Sequence, residues 1–232
     1  MRKKGVAFNN MNRDSIVYKT RRKLQVLAYH IIPKKVLSGI YYRILLHEKM
    51  NLKNPKYLNE KLQWLKLNYY PHNSLAIKCT DKYQVREYIE NKGYGSYLTG
   101  LIGEWTSVDD VDWESLPQQF VLKCTHGCAS DLINDRQAKM GFFEMNGTKI
   151  PLIRDDYEDI GILEMPKCLK EMIEAAKVLS KDFPFVRVDF FLVGESFKFA
   201  ELTFSPASGY MPINPKEYDL KWGNLLDLPE VE

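Results

Sequence analysis

The stretch FPFVRVDFFLVGESFKFAELTF, residues 183–204, is the part of this chain that says most about its fold. Two runs rich in apolar and β-branched residues, 186–193 and 196–204, are separated only by Gly194 and Glu195. Such runs predict strands, and a two-residue connection with glycine predicts that they pair as an antiparallel hairpin. We therefore expect a β-hairpin near the end of the chain.

Four polar side chains interrupt these apolar strands. Because side chains alternate along a strand, Arg187 and Asp189 share one face, as do Glu201 and Thr203. If these faces coincide, two carboxylates meet one guanidinium, which offsets only one of them. A divalent cation held by Asp189 and Glu201 would compensate both and could also hold phosphate oxygens. The alternative is an outward-facing Arg–Asp pair and an exposed glutamate on a solvated sheet face.

A second candidate site follows the apolar run 119–124, which we predict to be a strand. Lys123 lies near the end of this run, and the small-residue loop THGCAS, residues 125–130, comes next. A lysine with backbone N–H groups near Gly127 suits a phosphate, although strand-end lysines usually face water. The Cys124, His126 and Cys128 spacing lacks the second cluster of a zinc site and the orienting acid of a nucleophile, so reduced thiols are favoured.

Apolar residues recur at helical spacing in five further segments. They predict helices over 15–32, 35–48, 60–69, 74–91 and 167–180. Asn59 is expected to cap the third of these helices. A hairpin is predicted around Asn146 and Gly147 within 142–154, and a short strand at 97–102. This mixture is α+β or α/β with antiparallel pairing near the C-terminus, and we adopt α+β.

The same pattern suggests three regions along the chain. They are a basic amphipathic helical segment at 1–49, an N-terminal helical part at 50–118 and a sheet-containing part at 119–232. The composition, 45% hydrophobic and 27% charged, excludes collagen-like, low-complexity and disulfide-scaffold proteins. Four cysteines without a secretory leader favour a cytoplasmic protein, and no apolar run reaches the ~18 to 20 residues that span a bilayer.

Positive charge is concentrated at the start of the chain. Residues 1–49 contain twelve Lys or Arg against two acidic residues, a balance of +10, whereas the whole chain carries +3. In the helix predicted at 15–32, Val17, Leu24, Leu27 and Ile31 form an apolar face. Such a helix packs on its own domain, lies on an anionic membrane surface or binds nucleic acid. We expect no nucleic acid partner and keep membrane contact through 1–49 as a hypothesis.

Four blocks in this order resemble the TupA-like ATP-grasp family, which is named for teichuronopeptide biosynthesis. They are NLKNPK (51–56) with NEKLQWLK (59–66), DKYQVREY (81–88), FVLKCTHG (120–127), and FPFVRVD (183–189) with ELTF (201–204). The resemblance runs over most of residues 40–229. It implies an ATP-grasp-like fold with ATP and magnesium as cofactors.

The resemblance also implies which residues bind the nucleotide. Lys82 and Lys123 would correspond to the two lysines that contact the phosphates. His126 and Gly127 belong to the loop that would cover those phosphates as a lid.

On the last two strands, the resemblance implies the metal site. Asp189 and Glu201 would be magnesium ligands, and Thr203 stands where many relatives have a metal-binding asparagine. Arg187 would be the catalytic arginine that steadies the transferred phosphoryl group.

The implied activity is that of a ligase in bacterial capsule or exopolysaccharide biosynthesis. ATP would activate a carboxylate as an acyl-phosphate, and an amine would displace the phosphate, with a saccharide-linked or amino-acid substrate. The segment before the last strands is shorter than in family members, and Cys128 and Ala129 stand where Ser and Gly are usual. These departures leave open a shortened, non-catalytic paralogue acting as a binding module. A second alternative is a glycosyltransferase, since the gene clusters in which the family occurs hold many of them, and Asp189 and Glu201 could hold magnesium for a nucleotide-sugar diphosphate.

Overall fold

The computed structural model describes residues 15–118, 121–122, 124–125, 139–152 and 157–230 of the 232. The α-helices in these residues are α1 (Ile16–Ile31), α2 (Lys34–Leu46), α3 (Leu58–Trp64), α4 (Ser74–Thr80), α5 (Val85–Asn91), α6 (Leu169–Ser180) and α7 (Glu217–Gly223). The strands are β1 (Lys139–Met140), β2 (Phe142–Phe143), β3 (Lys149–Ile150), β4 (Glu158–Asp159), β5 (Arg187–Val193) and β6 (Ser196–Thr203). Strand β1 pairs with β4 in parallel, whereas β2–β3 and β5–β6 are antiparallel. The predicted α+β class is confirmed.

The described residues form two compact units. The first consists of those within 1–69, 136–163 and 205–232, and the second of those within 70–135 and 164–204. Each unit is assembled from separate stretches of chain. The three consecutive regions suggested by the sequence, 1–49, 50–118 and 119–232, stay a prediction.

Helix α3 is the buried centre of the first unit. Its Leu62 and the following Leu65 are completely buried, and the helix contacts both α7 and the 3-10 turn Pro206–Gly209. The carboxylate of Glu60 accepts hydrogen bonds from the backbone N–H groups of Asn51 and Lys56, both at 2.9 Å. The chain that leads into α3 is thereby tied to the helix itself.

Asn59 lies inside α3 and does not cap a helix, so that prediction was wrong. Helix α3 begins at Leu58, the residue before Asn59. The side-chain amide of Asn59 donates to the Met211 carbonyl at 2.8 Å and its oxygen accepts from the Met211 N–H at 3.0 Å. Its backbone N–H donates to the Asp219 carboxylate at 3.0 Å. A polar residue that resembles a cap in the sequence is used here to join distant segments of chain.

The second unit has its core between helix α6 and the β5–β6 hairpin. Cys168, Ala175 and Phe197 are buried there, and partly buried aromatic and sulfur-containing side chains surround them. The Tyr97 and Phe197 rings stack with their centroids 4.4 Å apart. Offset or edge contacts between aromatic rings add to the apolar area that they bury. This packing fixes one face of the hairpin and leaves the other face available.

The predicted helix 74–91 is divided into α4 and α5. The break is at Asp81, whose side chain accepts hydrogen bonds from the N–H groups of Tyr83 and Gln84, each at 2.8 Å. This local bonding competes with continued helix, as aspartate does in turns. The strand predicted at 97–102 was also wrong, because a 3-10 turn, Gly95–Tyr97, and irregular chain occupy those residues.

Other predictions of secondary structure are confirmed. Helices α1 and α2 lie within one or two residues of their predicted bounds, and Ser15 accepts a capping hydrogen bond from the Tyr18 N–H at 3.1 Å. The hairpin around Asn146 and Gly147 is present as β2 and β3. Part of the strand predicted at 119–124 lies outside the described residues, and its described members are not in a strand. None of the helices described above has the length and apolarity to cross a bilayer.

Candidate functional site

The β5–β6 hairpin brings the four predicted polar residues together on one face. Arg187 is opposite Thr203 in the register, and Asp189 is opposite Glu201. The other face carries Phe197, Phe199 and Leu202, which are all buried. One face of the hairpin is therefore committed to the core, and the opposite face gathers the polar cluster Arg187, Asp189, Glu201 and Thr203.

A β-bulge produces this alignment. From Val193, which is opposite Ser196, to Phe190, opposite Phe199, the register is regular, and it then shifts by one residue before Asp189. Ala200 is the additional residue on β6. A one-residue shift moves every following side chain to the other face. Without the bulge, Asp189 would be opposite Ala200, so the bulge is what places the two carboxylates side by side.

Hydrogen bonds join the members of the polar cluster. The guanidinium of Arg187 donates from Nε and Nη2 to the two carboxylate oxygens of Asp189, at 2.6 and 2.7 Å. The Thr203 hydroxyl lies 3.1 Å from an oxygen of Asp189 and 3.0 Å from an oxygen of Glu201. Since the hydroxyl has one proton, it donates to one carboxylate at a time. The cluster is preorganised by its own contacts.

The cluster lies at the surface and carries a net negative charge. The side chains of Arg187 and Asp189 are 52% and 25% exposed. One guanidinium faces two carboxylates, so the four side chains sum to −1. A bidentate Arg–carboxylate pair is a strong geometry, but at this exposure solvent screens much of its energy. The Arg187–Asp189 pair that was expected for a solvated sheet face is thus observed. Glu201 adds a second carboxylate, which is within reach of the Thr203 hydroxyl.

The donor atoms of this cluster fit magnesium. Mg²⁺ prefers hard oxygen ligands and is usually bound by one or two carboxylates, with water and phosphate oxygens completing its shell. Asp189, Glu201 and Thr203 supply two carboxylates and a hydroxyl that already share hydrogen bonds. Within the described stretches no group of three or more His, Cys, Asp and Glu is arranged to hold a metal. A cation bound to this cluster would therefore complete its coordination shell with water or phosphate oxygens.

Lys82 is attached to the beginning of the predicted phosphate loop. Its backbone N–H donates to the Thr125 carbonyl at 3.1 Å, so the α4–α5 turn and residue 125 are neighbours. Lys123, His126 and Gly127 lie outside the described residues, and their proposed contacts with nucleotide phosphates stay a prediction. The same holds for the functional roles of Lys82 and of the hairpin cluster.

The cysteines in the described part of the chain form no disulfide. Cys79 and Cys168 are buried, and Cys124 is exposed. Burial raises the pKa of the Cys79 thiol to about 11, which disfavours the reactive thiolate. His126 and Cys128, the other members of the spacing considered for zinc, are outside the described residues.

Comparison with known proteins now bears on this site. The model of the family described as TupA-like ATPgrasp matches residues 60–157 and, in a second overlapping stretch, residues 131–227. The two stretches together span well over half of the chain, and they include both strands of the hairpin. The chain belongs to the TupA-like ATP-grasp family. No match was found among curated proteins or among solved structures.

For this TupA-like ATP-grasp protein, sequence patterns identified the four cluster residues but missed what aligns them. Alternation along each strand predicts only that Arg187 and Asp189 share a face, as do Glu201 and Thr203. Counting outward from the turn at Gly194 would have shown that a regular hairpin pairs Asp189 with Ala200. That mismatch is the sequence signal for the bulge.

Proposed function

We propose that this TupA-like ATP-grasp protein is a magnesium- and ATP-dependent carboxylate–amine ligase of bacterial capsule or exopolysaccharide biosynthesis. In this proposal it works in the cytoplasm on a saccharide-linked or amino-acid substrate. The γ-phosphoryl group of ATP passes to a substrate carboxylate, giving an acyl-phosphate and ADP. An amine then attacks the acyl carbon, and phosphate leaves as the amide forms.

The polar cluster on β5 and β6 is the observation that carries the proposal. Asp189, Glu201 and Thr203 would hold magnesium through their oxygens. When bound, the metal would neutralise charge on the phosphate oxygens during transfer. The residues are fixed in place before any ligand arrives, because the bulge aligns them and Thr203 is within hydrogen-bonding distance of both carboxylates. Charged groups that are already in position can stabilise the charge of a transition state without first rearranging.

Arg187 would bind the phosphoryl group that ATP transfers. It is about half exposed, so its guanidinium can bind a phosphate oxygen while its stem stays on β5. Guanidinium groups suit phosphates because they donate two parallel hydrogen bonds. Lys82 would approach the phosphates from the α4–α5 turn, next to the start of the loop at Thr125.

One alternative is favoured by a specific observation. The family match falls in two overlapping stretches, and strands β2, β3 and β4 are only two residues long. Both facts agree with a shortened central region. They favour a paralogue that keeps part of the binding surface without completing the reaction.

Isothermal titration of the full chain separates these possibilities. The ligase proposal predicts binding of ATP that depends on Mg²⁺ and no comparable binding of a uridine-diphosphate sugar. Glu201→Gln removes a carboxylate ligand and should weaken Mg²⁺-dependent ATP binding on the order of 100-fold, since even indirect support of a metal ligand is commonly worth 10- to 100-fold.

Glu195→Gln is the matched control, because Glu195 is on the turn of the same hairpin, is exposed and pairs with Lys167 outside the cluster. It should leave ATP affinity unchanged, and both variants should retain the thermal midpoint of the wild type. Preference for the uridine-diphosphate sugar would instead identify a transferase. Binding of neither nucleotide would support the non-catalytic paralogue and contradict the ligase.

A further inference from the structure

Helix α1 contacts the rest of its unit through a face other than its aliphatic face, unlike an ordinary amphipathic helix. Its half-buried positions are Tyr18, Arg21, Gln25 and Ala28, whose spacing of three, four and three residues marks one face. That face is mostly polar or small. No residue of α1 is fully buried. The helix is therefore attached to its unit without using its large aliphatic side chains.

Those aliphatic side chains form a separate, exposed stripe. At 100° per residue, its members fall within about 100° of one another around the helix axis. They are Ile16 (82% exposed), Val17 (66%), Leu24 (61%), Leu27 (55%) and Ile31 (70%). In a helix that packs on its own domain this stripe would face the core. Its exposure removes the simplest explanation of the amphipathic pattern.

Helix α2 repeats the arrangement. Ser38 and Tyr42, four residues apart, are its buried positions. Val36, Ile40 and Ile44, also spaced by four, are 53%, 43% and 53% exposed. Two consecutive helices thus each turn an aliphatic row away from the core. Clusters of exposed aliphatic side chains on this scale indicate an interaction surface.

Charge indicates which partner this surface takes. Lys19 and Lys23 are exposed and occupy the arc beside the aliphatic stripe of α1, whereas the exposed Arg22 is on the opposite side of the helix. They belong to a 49-residue segment with a charge balance of +10. A second copy of the chain would bring the same positive charge to the interface and be repelled. Phosphate backbones of nucleic acid attract the cations, but they make no use of five large aliphatic side chains.

We propose that α1 and α2 dock this protein on an anionic lipid bilayer. The aliphatic stripe of α1 enters the boundary between headgroups and acyl chains, and Lys19 and Lys23 contact the anionic headgroups. Helices with a basic arc beside an apolar stripe lie in the plane of the interface in this way. The inference is independent of the proposed ligase site, since no residue of the hairpin cluster takes part.

Vesicle cosedimentation of the full chain tests it. Vesicles of phosphatidylcholine with 30 mol% phosphatidylglycerol are compared with pure phosphatidylcholine, at low and at high salt. We expect binding to the anionic vesicles that weakens as salt rises, because salt screens the attraction. Lys19→Gln with Lys23→Gln should weaken binding about 30-fold, at about 1 kcal/mol for each cation.

The aliphatic stripe is tested separately by Leu24→Gln with Leu27→Gln, which should weaken binding at least about tenfold. Glutamine is chosen because it keeps helix propensity close to that of leucine. The charge control is Lys53→Gln with Lys170→Gln, which removes the same charge from exposed positions elsewhere. The apolar control is Ile77→Gln with Leu225→Gln, at side chains that are also exposed. Both controls should bind like the wild type.

Three results would overturn the docking proposal. The first is no binding to anionic vesicles. The second is a dimer, seen by light scattering, that Leu24→Gln with Leu27→Gln separates, because the stripe would then pair two copies. The third is tight binding of duplex DNA that Lys19→Gln with Lys23→Gln abolishes, together with no binding to vesicles. None of these results affects ATP titration, so failure here is distinguishable from failure of the ligase proposal.

Discussion

Helix α3 and the β5–β6 hairpin both place polar side chains in apolar surroundings, but they use them differently. Asn59 in α3 is 1% exposed, and its hydrogen bonds run to Met211 and Asp219, more than 150 residues away. In the hairpin, the hydrogen bonds of Asp189 and Glu201 run to Arg187 and Thr203, which belong to the same exposed cluster. The first set holds the fold together, whereas the second is a polar surface supported by the fold.

This difference separates two kinds of sequence block that look equally significant in the chain. The block at 59–66 contains three polar residues that are buried in the fold, Asn59, Glu60 and Gln63. The blocks at 183–189 and 201–204 have carboxylates that solvent reaches. A family resemblance alone does not distinguish them, because both kinds of residue are needed by a member of the family. Burial and the destination of the hydrogen bonds do.

The largest effect on stability is expected from Asn59→Ala. The substitution leaves the Met211 N–H and C=O without their partners and opens a small cavity. Each buried group left unsatisfied costs about 1 to 3 kcal/mol, so we expect unfolding to be easier by about 2 to 4 kcal/mol. Urea denaturation followed by circular dichroism measures this as a lower midpoint with an unchanged slope.

Asn91→Ala is the control for this variant, because Asn91 is an exposed asparagine at the end of α5. Its free energy of unfolding should stay within about 0.5 kcal/mol of the wild type. Equal midpoints for the Asn59 and Asn91 variants would show that the buried contacts of α3 do not stabilise the protein.

A smaller effect, with opposite signs for two ligands, is expected from Arg187→Gln. The guanidinium neutralises Asp189 and repels any cation that approaches the same oxygens. Removing it should tighten binding of Mn²⁺ alone about tenfold, the effect of roughly 1.4 kcal/mol at a partly screened site. The same change should weaken Mg²⁺-dependent ATP binding by a similar factor, because a phosphate contact is lost.

Both affinities are available from titration calorimetry, with electron paramagnetic resonance as a second measure of free Mn²⁺. Arg86→Gln is the comparison, since Arg86 is in the same unit and its guanidinium donates to the Thr99 carbonyl. It should alter neither affinity. If Mn²⁺ binds the Arg187 variant more weakly than the wild type, the guanidinium is not competing for the carboxylates.

Much of the fold could be predicted because it depends on local patterns. Helices α1, α2 and α6 follow from apolar spacing, and both hairpins follow from strands separated by short glycine turns. The residues of the polar cluster could be identified for the same reason, since alternation along a strand is a local property. The assignment of the chain to the TupA-like ATP-grasp family is confirmed over residues 60–227.

What could not be predicted depends on contacts between distant segments. Asn59 has the residue type of a cap, but its partners come from residues 211 and 219. The bulge at Ala200 was missed because it shows only when the residues of both strands are counted outward from the turn, and not in the pattern of either strand alone. The face through which α1 packs also depends on the segments of the chain that lie next to it. The amphipathic pattern of α1 alone predicts that the aliphatic stripe faces inward.

If the polar cluster on β5 and β6 binds the metal–nucleotide complex, a paramagnetic ion bound with ATP must lie close to Asp189, Glu201 and Thr203. The most direct measurement is the paramagnetic effect of Mn²⁺ on backbone amide signals of the ¹⁵N-labelled full chain, with ATP present and Mg²⁺–ATP as the diamagnetic reference. We expect the amide signals of Asp189, Glu201 and Thr203 to lose intensity first. Undiminished signals from these three residues, while amides elsewhere in the chain are broadened, would contradict it.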